Sequence, residues 1–452
     1  MNRKTSYYLI GICGIGMSSL AQLIQSRGFK VRGSDASPDV LIERKLSSLG
    51  IEVYFSHEAG RIRESDIVVY STAVGKSNPE YIEAKGKNCV LLHRTSALVE
   101  MLKDRKSIAV TGTHGKTTMT YLLASVLRNY GFDSGMILGG ISKEINNNFI
   151  PSNSNYILEL DESDRSFQIL DSDLKVFTSL GNDHLEFYNN DFSELKREFR
   201  CYMQKEGVNI ISADDNYLVE LAEASSLKYL SFGFGPKADY RGELVDKGDF
   251  FSKIKLYKNG SFITEYTLPL IGYKNASNSL AVFALADILK LDLLKIAESF
   301  SGLSGIERRY DLKFCSKAVT LMEDYAHHPR EIEEAIRTVK EYLKPPRILV
   351  VFQPHRYTRT EMLWDDYKTC FKGGDKIYIS DIYSAFEEVI PSINSEMLVE
   401  NIGSSNVKYA KIDEIADLLL NEVREGDMIL LLGAGDINKI SKRLSEGLSS
   451  IE

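Results

Sequence analysis

Ile108-Ala-Val-Thr-Gly-Thr-His-Gly-Lys-Thr-Thr118 is an apolar strand running into a Gly-Lys-Thr turn and then into a helix, the way a protein holds a nucleoside triphosphate. Backbone N–H groups of the turn at Gly112, Thr113, His114 and Gly115, and the positive end of the helix at Lys116, Thr117 and Thr118, face the phosphates. Lys116 can reach the bridging β/γ region, and the Thr117 hydroxyl can take a Mg2+ ligand position. The helical pattern runs over 119–129 and is stopped by Gly131. Only Thr113 and His114 separate the two glycines, and Val110 stands where the strict loop has its first glycine. Ordinary P-loop NTPases are therefore not the best match.

Downstream, a strand over 156–160 carries the start of Glu159-Leu-Asp-Glu-Ser-Asp164, four acids within six residues. Acids at a strand's carboxyl end, in a domain that already holds a triphosphate, suit Mg2+, which prefers oxygen ligands. A strand over 175–178 then leads to Asn182-Asp-His184, where a neutral imidazole offers a second metal position. More irregular β-rich sequence follows between 229 and 270.

Upstream, residues 5–100 alternate apolar strands (7–10, 30–32, 67–70) with a helical pattern over 17–27, which implies a parallel sheet with helices on its faces. Gly11, Gly14 and Gly16 fall at the first strand-to-helix turn, in the order Gly-x-x-Gly-x-Gly. Asp35 follows the second strand. This supports a pyrophosphate on the helix beginning near Met17, with Asp35 available to a ribose or base. Cys13 lies at that helix's amino end, where a thiol's pKa can fall; a small filler in a glycine loop is the simpler reading.

A third unit begins near Gly305-Ile-Glu-Arg-Arg-Tyr-Asp311, with strands over 319–322, 348–352, 376–379 and 428–432 and a helix over 331–343. Glu323-Asp-Tyr-Ala-His-His-Pro329 and Phe352-Gln-Pro-His-Arg-Tyr-Thr-Arg359 sit at strand carboxyl ends, where open α/β sheets bind ligands. Arg356 and Arg359 are suited to clamp a carboxylate. Arg308 and Arg309 reach a phosphate or knit domains together.

Composition bounds these readings. The 452 residues exceed one hydrophobic core, and 43% hydrophobic with 26% charged residues is ordinary globular composition. No long apolar run spans a bilayer. The five cysteines are scattered, without metal-ligand spacing, and point to a reducing cytoplasm. A net charge of −8 disfavours nucleic acid as the main partner.

The ordered set of motifs resembles the Mur ligase family, which builds the peptide stem of bacterial peptidoglycan. It comprises Gly11-Ile-Cys-Gly-Ile-Gly-Met-Ser18, Gly33-Ser-Asp35, the phosphate loop, Glu159 to Asp164, Asp183-His184, Asn275 with Asn278, the paired-histidine segment, Phe352 to Thr360, and Gly433-Ala-Gly-Asp436. The Phe-Gln-Pro-His-Arg-Tyr and paired-histidine motifs favour the alanine-adding branch.

The resemblance implies an α/β chain of three domains. These are a Rossmann-like UDP-sugar-binding domain over 1–104, a central P-loop ATPase domain over 105–308, and a Rossmann-like carboxy-terminal domain over 309–452. The last closes over ATP and the amino acid. The implied reaction joins L-alanine to the lactyl carboxylate of UDP-N-acetylmuramate: the carboxylate attacks the γ-phosphate of ATP, and the amine displaces phosphate from the acyl phosphate. Lys116, Glu159 and His184 become the expected catalytic residues, with Thr117, Glu159 and His184 holding Mg2+. Asn275 and Asn278 face adenine, and Asp324 with Arg308 or Arg309 lies near the nucleotide. Gly14, Ile15, Gly16, Met17, Ser18, Asp35 and Ser71 are expected at the UDP-sugar, and Tyr325, His327, His328, His355, Arg356 and Arg359 at the alanine. The expected partners are UDP-N-acetylmuramate and L-alanine, without nucleic acid or membrane, for a cytoplasmic monomer or weak homodimer.

Three positions depart from the family pattern: Ser179-Leu-Gly181 before Asn182-Asp-His184, Lys274 in place of an imidazole, and Glu323 in place of aspartate. Two alternatives stand beside the main reading, a recycling ligase that adds a tripeptide to the same UDP-sugar and a catalytically silent nucleotide-binding paralogue.

Overall fold

The first strand, Ser6–Ile10, has Tyr7, Tyr8, Leu9 and Ile10 fully buried, as a parallel strand covered on both faces requires. In the computed structural model, which describes residues 6–162, 165–182, 185–385 and 387–451, it is the centre of a five-stranded parallel sheet. The order is Glu52–Tyr54, Lys30–Ser34, Ser6–Ile10, Asp66–Tyr70, Val90–His93. Ile10 is level with Ser34, and Leu9 with Val69, so Gly11, Asp35 and Ser71 all leave the sheet at one edge.

The second sheet has ten strands. Its parallel core runs Tyr229–Gly233, Val208–Ser212, Leu174–Phe177, Lys106–Thr111, Asn155–Glu159, Ser134–Ser142, with Asn147–Ile150 antiparallel at the edge. The strand Ser134–Ser142 escapes the sequence reading because Gly135, Gly139 and Gly140 dilute its apolar pattern. Gly135 is a packing requirement, and Gly139 leaves the space in which the end of the Glu159 side chain lies. A Cβ at Gly135 would stand 2.5 Å from the Tyr156 ring, and one at Gly139 would stand 1.5 Å from Glu159 Oε1. The phosphate-loop helix is Lys116–Tyr130, ended by Gly131 at φ +98°, the left-handed cap that glycine adopts without a Cβ penalty.

The first and second sheets are tied by a buried polar cluster. The Asn148 amide donates to Ile15 O (2.7 Å) and to Ser18 Oγ (2.9 Å), and Gln22 and Asn147 exchange hydrogen bonds. The turn that opens helix Ile15–Ser26 is thereby fixed to the hairpin that also packs Glu159.

The third sheet has six strands in the order Asp311–Cys315, Val319–Asp324, Asp427–Leu432, Ile348–Phe352, Lys376–Ile379, Val407–Tyr409, parallel except at the first pair. Ile348–Phe352 is buried along its whole length, and each such side chain contributes about 1.5–3 kcal/mol. Asp324, Leu432 and Phe352 lie level, so the segments after all three emerge together.

By contacts the chain divides into two compact units. One comprises Met1–Val245, Ile254–Leu268 and Lys274–Ser304; the other comprises Asp246–Lys253, Pro269–Tyr273 and Gly305–Glu452. The five cysteines are free; Cys13, Cys89 and Cys370 are buried. No helix among the described residues is long and apolar enough to cross a membrane.

Candidate active site

In the first unit the phosphate loop lies between two neighbouring strands whose ends supply its supports. Val110 pairs with Glu159 on one side and Thr111 with Phe177 on the other. Gly112 (φ +141°) and Gly115 (φ +78°) make the turn, and no Cβ fits at Gly112, where the Thr178 hydroxyl would be 2.2 Å away. The Thr113 N–H donates to Ser179 O (3.0 Å), the His114 N–H donates to Ser179 Oγ (3.0 Å), and the Thr178 hydroxyl donates to His114 O (2.6 Å). Ser179, one of the departures, is therefore a brace of the loop.

Lys116 Nζ donates to Gly112 O (2.7 Å) and to Glu162 Oε2 (2.6 Å), with Asp161 at 3.6 Å. Burial by itself would lower its pKa, but Glu162, Asp161 and Glu159 outweigh that and hold the ammonium charged above its ordinary value. Thr117 is partly exposed in the first helical turn and Thr118 is buried. Glu159 ends its strand with its carboxylate against Gly139. The Thr117 hydroxyl and the Glu159 and Asp161 carboxylates are hard oxygen donors of the kind Mg2+ prefers; among the described residues no three His, Cys, Asp or Glu side chains gather as a metal site. Asp183 and His184 lie outside the described residues.

Asn275 and Asn278 stand in helix Tyr273–Ile288. The Asn278 amide nitrogen is buried, has no hydrogen-bond partner among the described residues, and would be 3.1 Å from a Cβ at Gly115. A buried donor of this kind wants an acceptor. Lys274, the residue in place of an imidazole, donates to Thr178 O at 3.4 Å and so also leans on the loop.

At the first sheet's edge, helix Ile15–Ser26 begins at Gly14 without a side-chain cap, leaving an anion-attracting turn at Ile15, Gly16 and Met17. Arg94 Nη1 occupies the space of a Gly16 Cβ, at 2.3 Å; the sequence reading missed this guanidinium, which leads helix Arg94–Leu102. Asp35 does not stand open: its carboxylate accepts from Cys13 N and Ser37 N, both at 3.0 Å. Ser18 Oγ accepts from Asn148, and Ser71 O accepts from Val74 N. The expectation of a lowered thiol pKa at Cys13 is overturned. Burial, reinforced by Asp35, pushes it up to about 12, so the small-filler reading holds.

In the second unit, four loops meet at the sheet's carboxyl edge. Arg308 donates to Gly433 O (2.6 Å) and Gly435 O (2.9 Å) and pairs with Glu323 at 3.0 Å, so it fastens loops of its own sheet. Arg308 and Arg309 lie over the Tyr325 ring at 5.0 and 5.1 Å. Asp324 is buried and accepts from Tyr310 N and Ala326 N; burial raises its pKa, with Arg309 pulling the other way. His328 is a helix cap: its Nδ1 accepts from Arg330 N, and Glu331 answers in a capping box.

His327 and His355 have ring centroids 6.0 Å apart, and His355 stacks on Tyr383 at 5.5 Å. Burial lowers His327 to about 4, against Glu331, and His355 to about 3, where His327, Arg359 and Arg356 add to the effect. Both rings are neutral at physiological pH. Buried His355 Nδ1 has no hydrogen-bond partner among the described residues. Arg356 and Arg359 differ: Arg356 Nε donates to Glu387 (2.7 Å), whereas Arg359 has no carboxylate at ion-pair distance among the described residues. Burial raises the Glu387 pKa, but hydrogen bonds from Thr358 and Arg356 outweigh it and the net shift is downward. Tyr383 and Glu387 carry no sequence signal of their own; both follow Lys376–Ile379 in a loop without periodicity.

Three family descriptions fit successive parts of the chain: "Mur ligase family, catalytic domain" over 6–106, "Mur ligase middle domain" over 110–286, and "Mur ligase, glutamate ligase domain" over 308–435. A UDP-N-acetylmuramate--L-alanine ligase of Brachyspira hyodysenteriae is 36% identical, covering 99% of each chain. The Syntrophus aciditrophicus protein of that name is 35% identical, covering 100% of this chain and 95% of its own. The crystal structure of UDP-N-acetylmuramate-alanine ligase from Thermotoga maritima superposes with a TM-score of 0.86 at 27% identity, covering 99% of this chain and 100% of that one. A murein peptide ligase of Psychrobacter arcticus, 21% identical with a TM-score of 0.73, shares the fold. The chain belongs to the Mur ligase family and has its three-domain α/β fold.

Proposed function

We propose that this ligase joins L-alanine to the lactyl carboxylate of UDP-N-acetylmuramate at the expense of ATP, in the cytoplasmic synthesis of peptidoglycan precursors. The observation that carries this reading is end-to-end similarity, at 36% identity, to a ligase named for that substrate pair. Arg359 beside two neutral imidazoles adds a chemical reason, since a cation for a carboxylate beside neutral nitrogens for an amine suits a small amino acid.

The residues divide the work. Lys116 and the Gly112–Thr118 loop hold the triphosphate, and Lys116 leaves Glu162 to neutralise charge developing on the transferred phosphoryl group. Mg2+, held by Thr117, Glu159 and His184, would supply further neutralisation of the β/γ oxygens. Asn275 and Asn278 take the adenine, Asn278 through an amide that has no partner among the described residues. The uncapped turn at Gly14–Ser18 takes the UDP pyrophosphate, with Asp35 ordering that loop rather than standing free. The sugar carboxylate attacks the γ-phosphate to give an acyl phosphate and ADP, and the alanine amine then displaces phosphate. With this division go domain limits that we place near 104/105 and 308/309.

The test is phosphate release from ATP and Mg2+ with UDP-N-acetylmuramate and no amine, L-alanine, glycine, L-serine or the stem tripeptide. Release requiring both the sugar and L-alanine is expected. Tripeptide-only release would make this a recycling ligase, and binding of both nucleotides without release would make it a silent paralogue.

A further inference from the structure

We propose that Glu387 is a positioning residue for amino-acid recognition, holding Arg356 and the helix start at Tyr357 so that Arg359, not Arg356, is the primary anchor of the substrate carboxylate. The inference rests on the alanine reading above and deepens it.

Arg356 is an unusual residue at which to begin a helix. It is the N-cap of Tyr357–Met362 with φ +73° and ψ 134°, a conformation costly for a side chain with a Cβ, and its side chain caps nothing. Such a geometry persists only where the surroundings fix it, and here the surroundings are the 383–387 loop. The Arg356 N–H donates to Tyr383 O (2.8 Å) and the Tyr383 N–H to Pro354 O (2.9 Å), a two-bond bridge between the loops. One carboxylate completes the clasp. Glu387 Oε1 accepts from Arg356 Nε (2.7 Å) and the Thr358 hydroxyl (2.6 Å), and Oε2 accepts from Thr358 N (3.1 Å). Glu387 thus supplies the acceptor that this N-cap lacks, one residue into the helix.

The consequence falls on Arg359. It lies in the first turns of the same short helix, and its charge acts on both His327 and His355. With Arg356 already paired with Glu387, a second carboxylate entering beside the two imidazoles meets one arginine whose charge is shared and one, Arg359, that has no carboxylate at ion-pair distance among the described residues. An incoming amino acid therefore depends on where the helix start places Arg359, and Glu387 sets that placement.

The experiment compares Glu387→Gln, Arg356→Lys, Arg359→Lys and the Glu387→Gln/Arg356→Lys double variant in the full chain, with steady-state ADP release at varied L-alanine, ATP and UDP-N-acetylmuramate. Glu387→Gln should raise the KM for alanine about 10-fold and leave both nucleotide KM values within about 2-fold. Arg359→Lys should raise it more than Arg356→Lys does, and the double variant should be no worse than the worse single variant, because Glu387 and Arg356 act as one unit. Equal rises in all three KM values, a lowered melting temperature with unchanged alanine KM, or additive effects in the double variant would each overturn the proposal. Alanine-dependent turnover of the unmutated enzyme is the control: its absence defeats the functional reading, whereas its presence with an unresponsive Glu387→Gln defeats only this inference.

Discussion

The phosphate-loop region and the paired-histidine region solve opposite electrostatic problems. Around Lys116 the charges are gathered, with one ammonium set against three carboxylates, Glu162, Asp161 and Glu159. Around Arg359 no carboxylate stands at ion-pair distance among the described residues, and the two imidazoles beside it are kept neutral, His327 and His355 having lost their protons to burial. The difference teaches how each region treats its ligand. Lys116 must be taken from a partner before it serves a phosphate, which makes the loop selective for a strong polyanion. Arg359 needs no such exchange, and so suits a single carboxylate that has little binding energy to offer.

Several measurements would break or sharpen this contrast. The largest effect belongs to Lys116→Ala, which should lower ADP formation by about 10^3-fold or more while UDP-sugar binding by calorimetry stays near normal. Retained turnover would show that the gathered charges serve only the fold. Next comes Arg359→Ala, with a rise of roughly 10^2-fold in the KM for alanine and little change for ATP; a change confined to ATP would place this arginine with the nucleotide. Gly139→Ala puts a methyl where the Glu159 carboxylate now lies, at 1.5 Å from Oε1. It should cut kcat by about 10-fold to 10^2-fold and raise the Mg2+ requirement. Unchanged Mg2+ dependence would count against Glu159 as a ligand.

The smallest effect is a pH dependence of stability. The folded chain keeps His327 and His355 neutral down to about 4 and 3, whereas unfolded histidines protonate near 6.5. Below that pH the unfolded state binds more protons, so stability is full above about 6.5 and falls toward 4, by up to ~1.4 kcal/mol per pH unit for each histidine. Denaturant melts of the protein and of His327→Asn between pH 4.5 and 7.5 should show a shallower slope for the variant. Equal slopes would mean that the rings are not held neutral by the fold.

How much of this was legible in advance differs between the regions for the same reason. The nucleotide loop is local: strand, turn and helix follow one another from Lys106 to Tyr130, so its residues name themselves by spacing. The supports beside it are not local. Ser179 reads as a departure from pattern until the pairing of Phe177 with Thr111 brings it under the loop. The paired-histidine region is assembled from 308–311, 323–331, 353–359, 383–385 with 387, and 433–437. Its histidines and arginines were found as motifs, but what each one touches was not. His328 proves to be a cap, Arg308 a fastener of loops, and Arg356 a partner of Glu387.

By itself the sequence determined the three α/β sheets, the phosphate loop and the cluster of charged and imidazole side chains after the third domain's strands, because hydrophobic periodicity and glycine spacing are properties of neighbours in the chain. Only the tertiary structure decided which charges are already spent. That Cys13 is an unreactive filler, that Asp35 closes a loop, that the Glu159 carboxylate lies against Gly139, and that Arg356 rather than Arg359 has a carboxylate at ion-pair distance among the described residues all depend on burial and on partners tens of residues away, and desolvation and hydrogen bonding act through space rather than along the chain.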